Sequence, residues 1–330
     1  FYYAGEISTH MGTFLQMTYS QEEDKFSFDM ADIRFASRVT VGDHDIVYGA
    51  SLNNSPGMED VWNTTPAWTY PYTASETAPS PTASPLVNGL MNVVGLGGYA
   101  MLDDHWYGMV TAYRSAPLGQ GAAPIDGSLN KVAPYGRFAW QGNFANNAYL
   151  EIGTYGLYTD FSRGMMGAGA AGKSDKYTDV AVDATYMLPI DGNRLLSMHA
   201  IYVHEDQQLD SSFLAGLSSN RNNTLEQVRV DASYEFGHHG QFSLGYFNTW
   251  GDSDPGMYTT TPGAIDNSSN GNPDSAAFLA EVDYLPWQNT KFSLQYTAYT
   301  KFNGSENNYN GDGRDASDNN SLYFNTWLMW

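Results

Sequence analysis

Apolar and polar residues alternate with a period of two through segment after segment of this chain. A period of two sends successive side chains to opposite faces of a strand, so the pattern specifies sheet with one apolar and one polar face. Strands are predicted over 1–8, 12–20, 26–39, 45–54, 92–102, 106–116, 132–142, 147–160, 176–189, 194–207, 224–236, 241–251, 276–286, 291–303 and 320–330. The clearest sets Val228, Val230, Ala232, Tyr234 and Phe236 against Gln227, Arg229, Asp231, Ser233 and Glu235. Another sets Phe292, Leu294, Tyr296 and Ala298 against Ser293, Gln295, Thr297 and Tyr299. No stretch reaches the about 18 apolar residues of a membrane helix, so a helical membrane protein is excluded.

The connections carry a second signal. Short ones fall at Ser8-Thr9-His10, Gly42-Asp43-His44, Asp103-Asp104-His105, 143–146, Asp191-Gly192-Asn193, 237–240 and Trp287-Gln288-Asn289. Long ones alternate with them at 55–91, 117–131, 161–175, 208–223, 252–275 and 304–319, with one short exception at 22–25. Membrane barrels of the bacterial outer membrane join their strands by tight periplasmic turns and long external loops. The chain also closes as such barrels do, on an alternating strand that ends at an aromatic. Its Leu322, Phe324, Leu328 and Trp330 form the expected lipid face for membrane insertion.

We therefore expect an all-β fold, a transmembrane antiparallel up-and-down β-barrel filling residues 1–330 as one domain. Aromatics at 15% with 24 Tyr, against 15% charged residues, suit aromatic girdles better than a soluble enzyme. Parity adds a constraint: fifteen visible strands with both ends running inward cannot close antiparallel, so a sixteenth strand is expected upstream of Phe1, in a segment preceding this sequence. Within 26–39 the phase of the alternation slips, which predicts a β-bulge near Ala31.

The polar faces name the residues expected to line a watery lumen: Asp32, Arg34, Arg38, Arg137, Glu151, Asp183, Arg229, Asp231, Glu235, Glu281, Asp283 and Lys291. Acids outnumber bases among them, which predicts mild cation preference. The long connection 55–91 carries Trp62, Trp68, Tyr70 and Tyr72, aromatics that must pack on something. They suit a constriction loop folded into the lumen, and equally an external cap or oligomer contact.

Other chemistry is poorly supported. Gly167 to Ser174 spells the phosphate-cradling pattern, but strand-like residues follow where that mechanism needs a helix. Asn308, Asn310, Asp312 and Gly313 imitate the opening of a calcium loop, yet Asn319 stands where a bidentate Glu belongs. His10, His44, His105, His238 and His239 all fall in the predicted periplasmic turns, where they could meet a periplasmic redox partner, while His199 and His204 fall on opposite faces of one strand. Glu281 and Asp283 share one strand face and do not oppose each other across a substrate, as hydrolytic pairs do. No catalytic or metal site is named. The net charge of −21 argues against nucleic acid, and the absence of Cys excludes disulfides and covalent haem attachment within these residues.

Several runs resemble a family of bacterial outer-membrane proteins: Leu52-Asn53-Asn54-Ser55-Pro56, Asp60 through Trp68, Asp283 through Lys291, Lys301-Phe302-Asn303-Gly304 and Asp315 through Asn320. Members of that family carry a short CxxCH haem segment ahead of the barrel, forming a fused cytochrome-porin that passes electrons across the outer membrane. The resemblance implies a sheath for a haem c borne by a missing N-terminal segment or a partner; no residue of this chain is implied as a ligand. The expected function is a porin-like channel for small solutes or ions in the outer membrane of a Gram-negative bacterium, with the C-terminus periplasmic. The cytochrome-porin electron conduit is the alternative. Expected partners are outer-membrane lipid and lipopolysaccharide, the barrel assembly machinery and a periplasmic cytochrome, with an oligomer left open.

Overall fold

The computed structural model describes residues 1–20, 24–64, 74–75, 77–90, 93–116, 128–144, 146–162 and 173–328. They form one antiparallel sheet wrapped into a barrel: β1 (Tyr2–Ser8), β2 (Met11–Ser20), β3 (Lys25–Val41), β4 (His44–Asn53), β5 (Val93–Leu102), β6 (Trp106–Ser115), β7 (Ser128–Leu129), β8 (Ala133–Asn143), β9 (Tyr149–Ser162), β10 (Asp175–Asp191), β11 (Arg194–Gln208), β12 (Asn222–Phe236), β13 (Gly240–Gly251), β14 (Ser275–Trp287), β15 (Thr290–Lys301) and β16 (Ser321–Leu328). Each strand pairs with its neighbour in the chain, except that the two-residue β7 adds to the end of β9 and β6 pairs directly with β8. The expected strands are present, and β7 is an extra element too short to carry a period.

The path runs from β1 to β16. These two end strands share a direction, so they cannot pair antiparallel with each other. They meet through side chains: the rings of Tyr2 and Trp327 stack at 4.8 Å.

Alternation decides which face meets what. Leu96, Val110, Phe138, Ile152, Val182 and Phe278 point outward and are exposed, while Tyr113, Tyr135, Arg137, Tyr155 and Asp183 point inward and are buried. An exposed apolar belt around a polar interior is the arrangement of a barrel in hydrocarbon, where the closed ladder satisfies the backbone. The terminal strand follows it, with Leu322, Phe324 and Leu328 outward and exposed; Trp330 lies outside the described residues.

The phase slip in β3 is a bulge at Asp29, two residues before the expected position. Gln16 pairs with Met30 and Met17 with Phe28, leaving Asp29 over. Its carboxylate accepts from Gln16 Nε2 at 3.3 Å and from the Thr18 hydroxyl, which holds the bulge in place.

At the long-loop rim the connections pack on one another. Asp254 caps a one-turn helix (Pro255–Tyr258) and accepts from Ser218 Oγ (2.6 Å), Ser219 N (2.7 Å), Asn220 N (3.2 Å) and Asn223 Nδ2 (2.9 Å), tying two loops together. Burial pushes its pKa up, but these donors together outweigh burial and hold it below the usual carboxylate range. A depressed pKa stabilises the folded loops above the unfolded value of about 4, and that contribution is lost as pH falls through the folded value. Proteolysis of the two loops should therefore accelerate below about pH 4, and Asp254→Asn should make cleavage at pH 7 resemble that of the parent in acid. Equal protection of parent and variant at both pH values would contradict this.

Candidate functional site: the barrel interior

Residues 54–64 and 77–90 leave β4 and turn into the barrel, where they touch the inward faces of strands on both sides. Three polar nodes and one apolar cluster fix them there.

The first node is Glu59, at the end of a 3-10 turn (Pro56–Glu59) that the Ser55 hydroxyl caps. Glu59 is fully buried. Its carboxylate accepts from Asn53 Nδ2 (2.7 Å), Thr111 Oγ1 (2.7 Å), Ser51 Oγ (3.0 Å), Arg34 Nη2 (3.2 Å) and Tyr113 Oη (3.3 Å). Arg34 also donates to Met58 O and pairs with Asp32. A buried carboxylate demands such satisfaction, because an unpaired one would be strongly destabilising.

The second node gathers charge around Arg137. Its guanidinium lies 2.7 Å from Asp183, 3.1 Å from Glu151 and 3.2 Å from Asp60, all buried, and 5.3 Å from the Trp62 ring centroid. Thr64 Oγ1 sits between Asp60 (2.7 Å) and Asp183 (2.9 Å). Asp60, Trp62 and Thr64 belong to the inserted segment, so the ion network staples it to β8, β9 and β10. Trp62 completes the staple: its indole N–H donates to Gln141 Oε1 at 3.2 Å, and its ring stands edge-on to Tyr107 at 5.3 Å.

The third node receives a short helix, α1 (Leu86–Gly89), whose first amides find carboxylates: Leu86 N donates to Glu205 and Val87 N to Asp179 at 3.0 Å. Negative charge at a helix start is favourable, because the first amides have no partner within the helix. Val87 and Leu90 pack with Val93, Tyr113, Tyr135, Tyr155, Ile201 and Val203 into an apolar cluster inside the barrel. Thr82 reaches Asn303, and Pro79 O accepts from Tyr299 Oη, so the segment spans from β4 to the far wall.

Other expected lining residues face inward in smaller groups. Glu281 accepts from Gln295 Nε2 at 2.8 Å, Asp283 from Ser293 Oγ with Lys291 3.6 Å away, Asp231 meets His199 Nδ1 at 2.9 Å, and Arg229 lies 5.9 Å from the Phe247 centroid. Two placements need correction. Arg38 and Glu235 share the inward phase but sit where β3 and β12 run past the barrel body, so both are exposed at the short-turn rim, Arg38 paired there with Asp45 and Asp104. The interior along β6 to β10 is also packed rather than watery, because the inserted segment occupies it. Trp68, Tyr70 and Tyr72 lie outside the described residues.

Glu59, Asp60, Thr64, Asp179 and Glu205 were missed by the sequence reading. Asp179 and Glu205 carried a signal, being inward by period in strands already assigned. Glu59, Asp60 and Thr64 lie in a connection without period, where nothing in sequence separates them from solvated loop residues. Of the calcium-loop imitation, Asn308 Oδ1 accepts from Gly313 N and Asn310 Oδ1 from Asp312 N and Arg314 N, so the side chains cap their own loop. Of the phosphate-pattern residues, Lys173 and Ser174 lead directly into β10, and 167–172 lie outside the described residues. Three turn histidines are held by Nδ1: His44 on Asp103 (2.7 Å), His105 on Gln141 O (2.9 Å) and His239 on Leu285 O (2.7 Å).

No protein-family model and no curated protein matches the chain. Among solved structures it is similar to OmpT, an outer membrane protein of Vibrio cholerae, at 10% identity and TM-score 0.43, covering 97% of this chain and 94% of that one. A trimer form of that protein gives 9% identity and TM-score 0.41, with 97% of each chain covered. A bacterial polysaccharide outer membrane secretin gives 9% identity and TM-score 0.39, covering 98% of this chain and 87% of that one.

Removing Arg137 strands three buried carboxylates. Arg137→Met should cost about 3–5 kcal/mol in urea titrations of the folded barrel, and adding Glu151→Gln with Asp183→Asn should recover part of the loss. An unchanged midpoint in the single variant would show that the network does not hold the segment.

Proposed function

We propose that this chain is an outer-membrane channel with its long loops outside and its C-terminus periplasmic, passing small cations or solutes along one side of its interior. The observation that carries this reading is an asymmetry of the inner face. Inward residues of β6, β8, β9 and β10 are buried, whereas those of β1, β2 and β16 are half-buried or exposed, Tyr2 retaining 45% of its surface. The space left by the inserted segment therefore lies against β1, β2 and β16. The exposed apolar belt supports membrane placement, and the rule that external loops are the long ones supports the orientation. Among the described inward residues, acids outnumber bases, which favours cations. The codirectional end strands suit one further strand between them, ahead of Phe1, which would bring the path of paired strands, β7 aside, from fifteen to sixteen.

A second reading is favoured by what lines that space. Tyr2 lies between Trp327 (4.8 Å) and Phe14 (6.3 Å), an aromatic wall suited to enclosing a segment that bears a flat apolar cofactor such as haem. No histidine stands on the inner face of β1, β2 or β16. The strip thus fits enclosure of such a segment.

Planar-bilayer recordings separate the readings. A channel should show a small cation-preferring conductance that rises several-fold when residues 56–89 are replaced by a short Gly/Ser linker. Anion preference, or silence in both forms, would refute it. A Soret band in protein purified from its native membrane, with bilayers silent, would favour the sheath.

A further inference from the structure

We infer that the outward face of β10 to β13 near the long-loop rim, together with the apolar hollow below it, binds a phosphorylated glycolipid of the outer leaflet. The inference rests on the outer-membrane placement proposed above.

Strand pairing sorts the outward side chains into rows. Lys176, Gln208 and Asn222 stand side by side in the row nearest the rim, and Thr178, Asp206 and Thr224 in the next. Asp252 extends the second row, its Oδ2 accepting from Thr224 N at 2.7 Å and Thr224 Oγ1 at 2.9 Å. These residues line a polar depression of about 390 Å³. One row lower come His204, Glu226 and Trp250, with His204 Nδ1 2.6 Å from Glu226; below that the face turns apolar with Val228. An indole and a neutralised ion pair at the change from polar to apolar mark the water–lipid boundary.

Lower on the same face and shifted toward the next strands, β11 to β15 open into a second hollow of about 400 Å³ between Val230, Ala232, Leu244, Tyr246 and Phe278. Val230 is six residues along β12 from Thr224, which is about 20 Å at about 3.3 Å per residue. A polar cup therefore stands roughly one acyl-chain length above an apolar one.

The two cups select a ligand class. Amides and carboxylates held at strand spacing match the hydroxyls of a sugar, and Lys176 supplies the cation for a phosphate. Asp206 and Asp252 would repel that phosphate unless a divalent cation lay between them, and oxygen donors are what such cations take. A soluble phosphate has no use for the apolar hollow. A glycerophospholipid has no sugar for the amides. A phosphorylated glycolipid uses both.

The test takes the folded full chain in detergent and offers rough lipopolysaccharide, phosphatidylglycerol or inorganic phosphate. Lipopolysaccharide should be retained through size-exclusion at roughly one per barrel in Mg²⁺ and released by EDTA. Lys176→Glu and Ala232→Trp should each weaken retention roughly tenfold or more, the scale of one charge-assisted contact, while the heat-modifiable gel shift shows that both variants fold. Retention of phosphatidylglycerol equal to that of lipopolysaccharide, or undiminished retention by both variants, would overturn the inference. Because the chain has no Cys, labelling Asn307→Cys with an impermeant maleimide on intact cells tests orientation separately. Labelling without retention overturns this inference alone, and failure to label overturns the placement.

Discussion

Backbone amides and carbonyls facing hydrocarbon have no water to turn to, and this constraint organises the molecule. Only a ladder that passes every donor to the next strand meets it, so the chain is committed to consecutive antiparallel neighbours from β1 to β16. The same commitment inverts the usual distribution of side chains. Leu96, Val110 and Phe278 are exposed because the belt they form faces lipid, and Glu59, Arg137 and Asp183 are buried because the polar face turns inward.

An inward polar face creates its own demand. Carboxylates such as Asp179, Asp183 and Glu205 are tolerated where water reaches them, or where something else supplies donors. Here the donors come from the chain itself. The segment after β4 brings the amides of Leu86 and Val87, the hydroxyl of Thr64 and the indole of Trp62 to the wall, and adds Glu59 and Asp60 for Arg34 and Arg137 to satisfy. Wall and segment are each incomplete alone, so mutual satisfaction holds the segment alongside the apolar cluster that takes Val87 and Leu90.

This division explains what could be read from sequence. Strands were legible because Val228 to Phe236 and Phe292 to Ala298 repeat a period that only a two-sided sheet explains, and turns were legible because Gly192-Asn193 and Gly237 interrupt it. The bulge announced itself as a slip of phase, with an uncertainty of two residues, since the pattern shows that a residue is extra without showing which: pairing leaves out Asp29. Inward residues followed from phase, but how far a strand outruns the barrel body did not, which is why Arg38 was assigned to the interior and lies at the rim. The interior segment was illegible in detail for a deeper reason. Glu59 and Thr64 are defined by partners 52 and 119 positions away, and no local pattern encodes such pairings.

The distribution of those partners also decides which part of the wall the segment covers. Most fixed acceptors and donors for the described part of the segment lie on β3, β4, β6, β8, β9, β10 and β11, with Tyr299 of β15 and the nearby Asn303 meeting Pro79 and Thr82 at the long-loop end, so electrostatics and hydrogen bonding draw its polar nodes to that arc of the wall. The inner faces of β1, β2 and β16 instead present the rings of Tyr2, Phe14, Tyr323 and Trp327, set among small and polar residues such as Ala4, Gly12, Glu6, Gln16 and Asn325. A segment tethered by polar nodes will not cover an aromatic arc, because leaving its nodes would strand Glu59 and the Arg137 cluster in a dry interior. The uncovered strip is thus a consequence of how the covered side is held, with aromatic rings along one wall and bound carboxylates along the other.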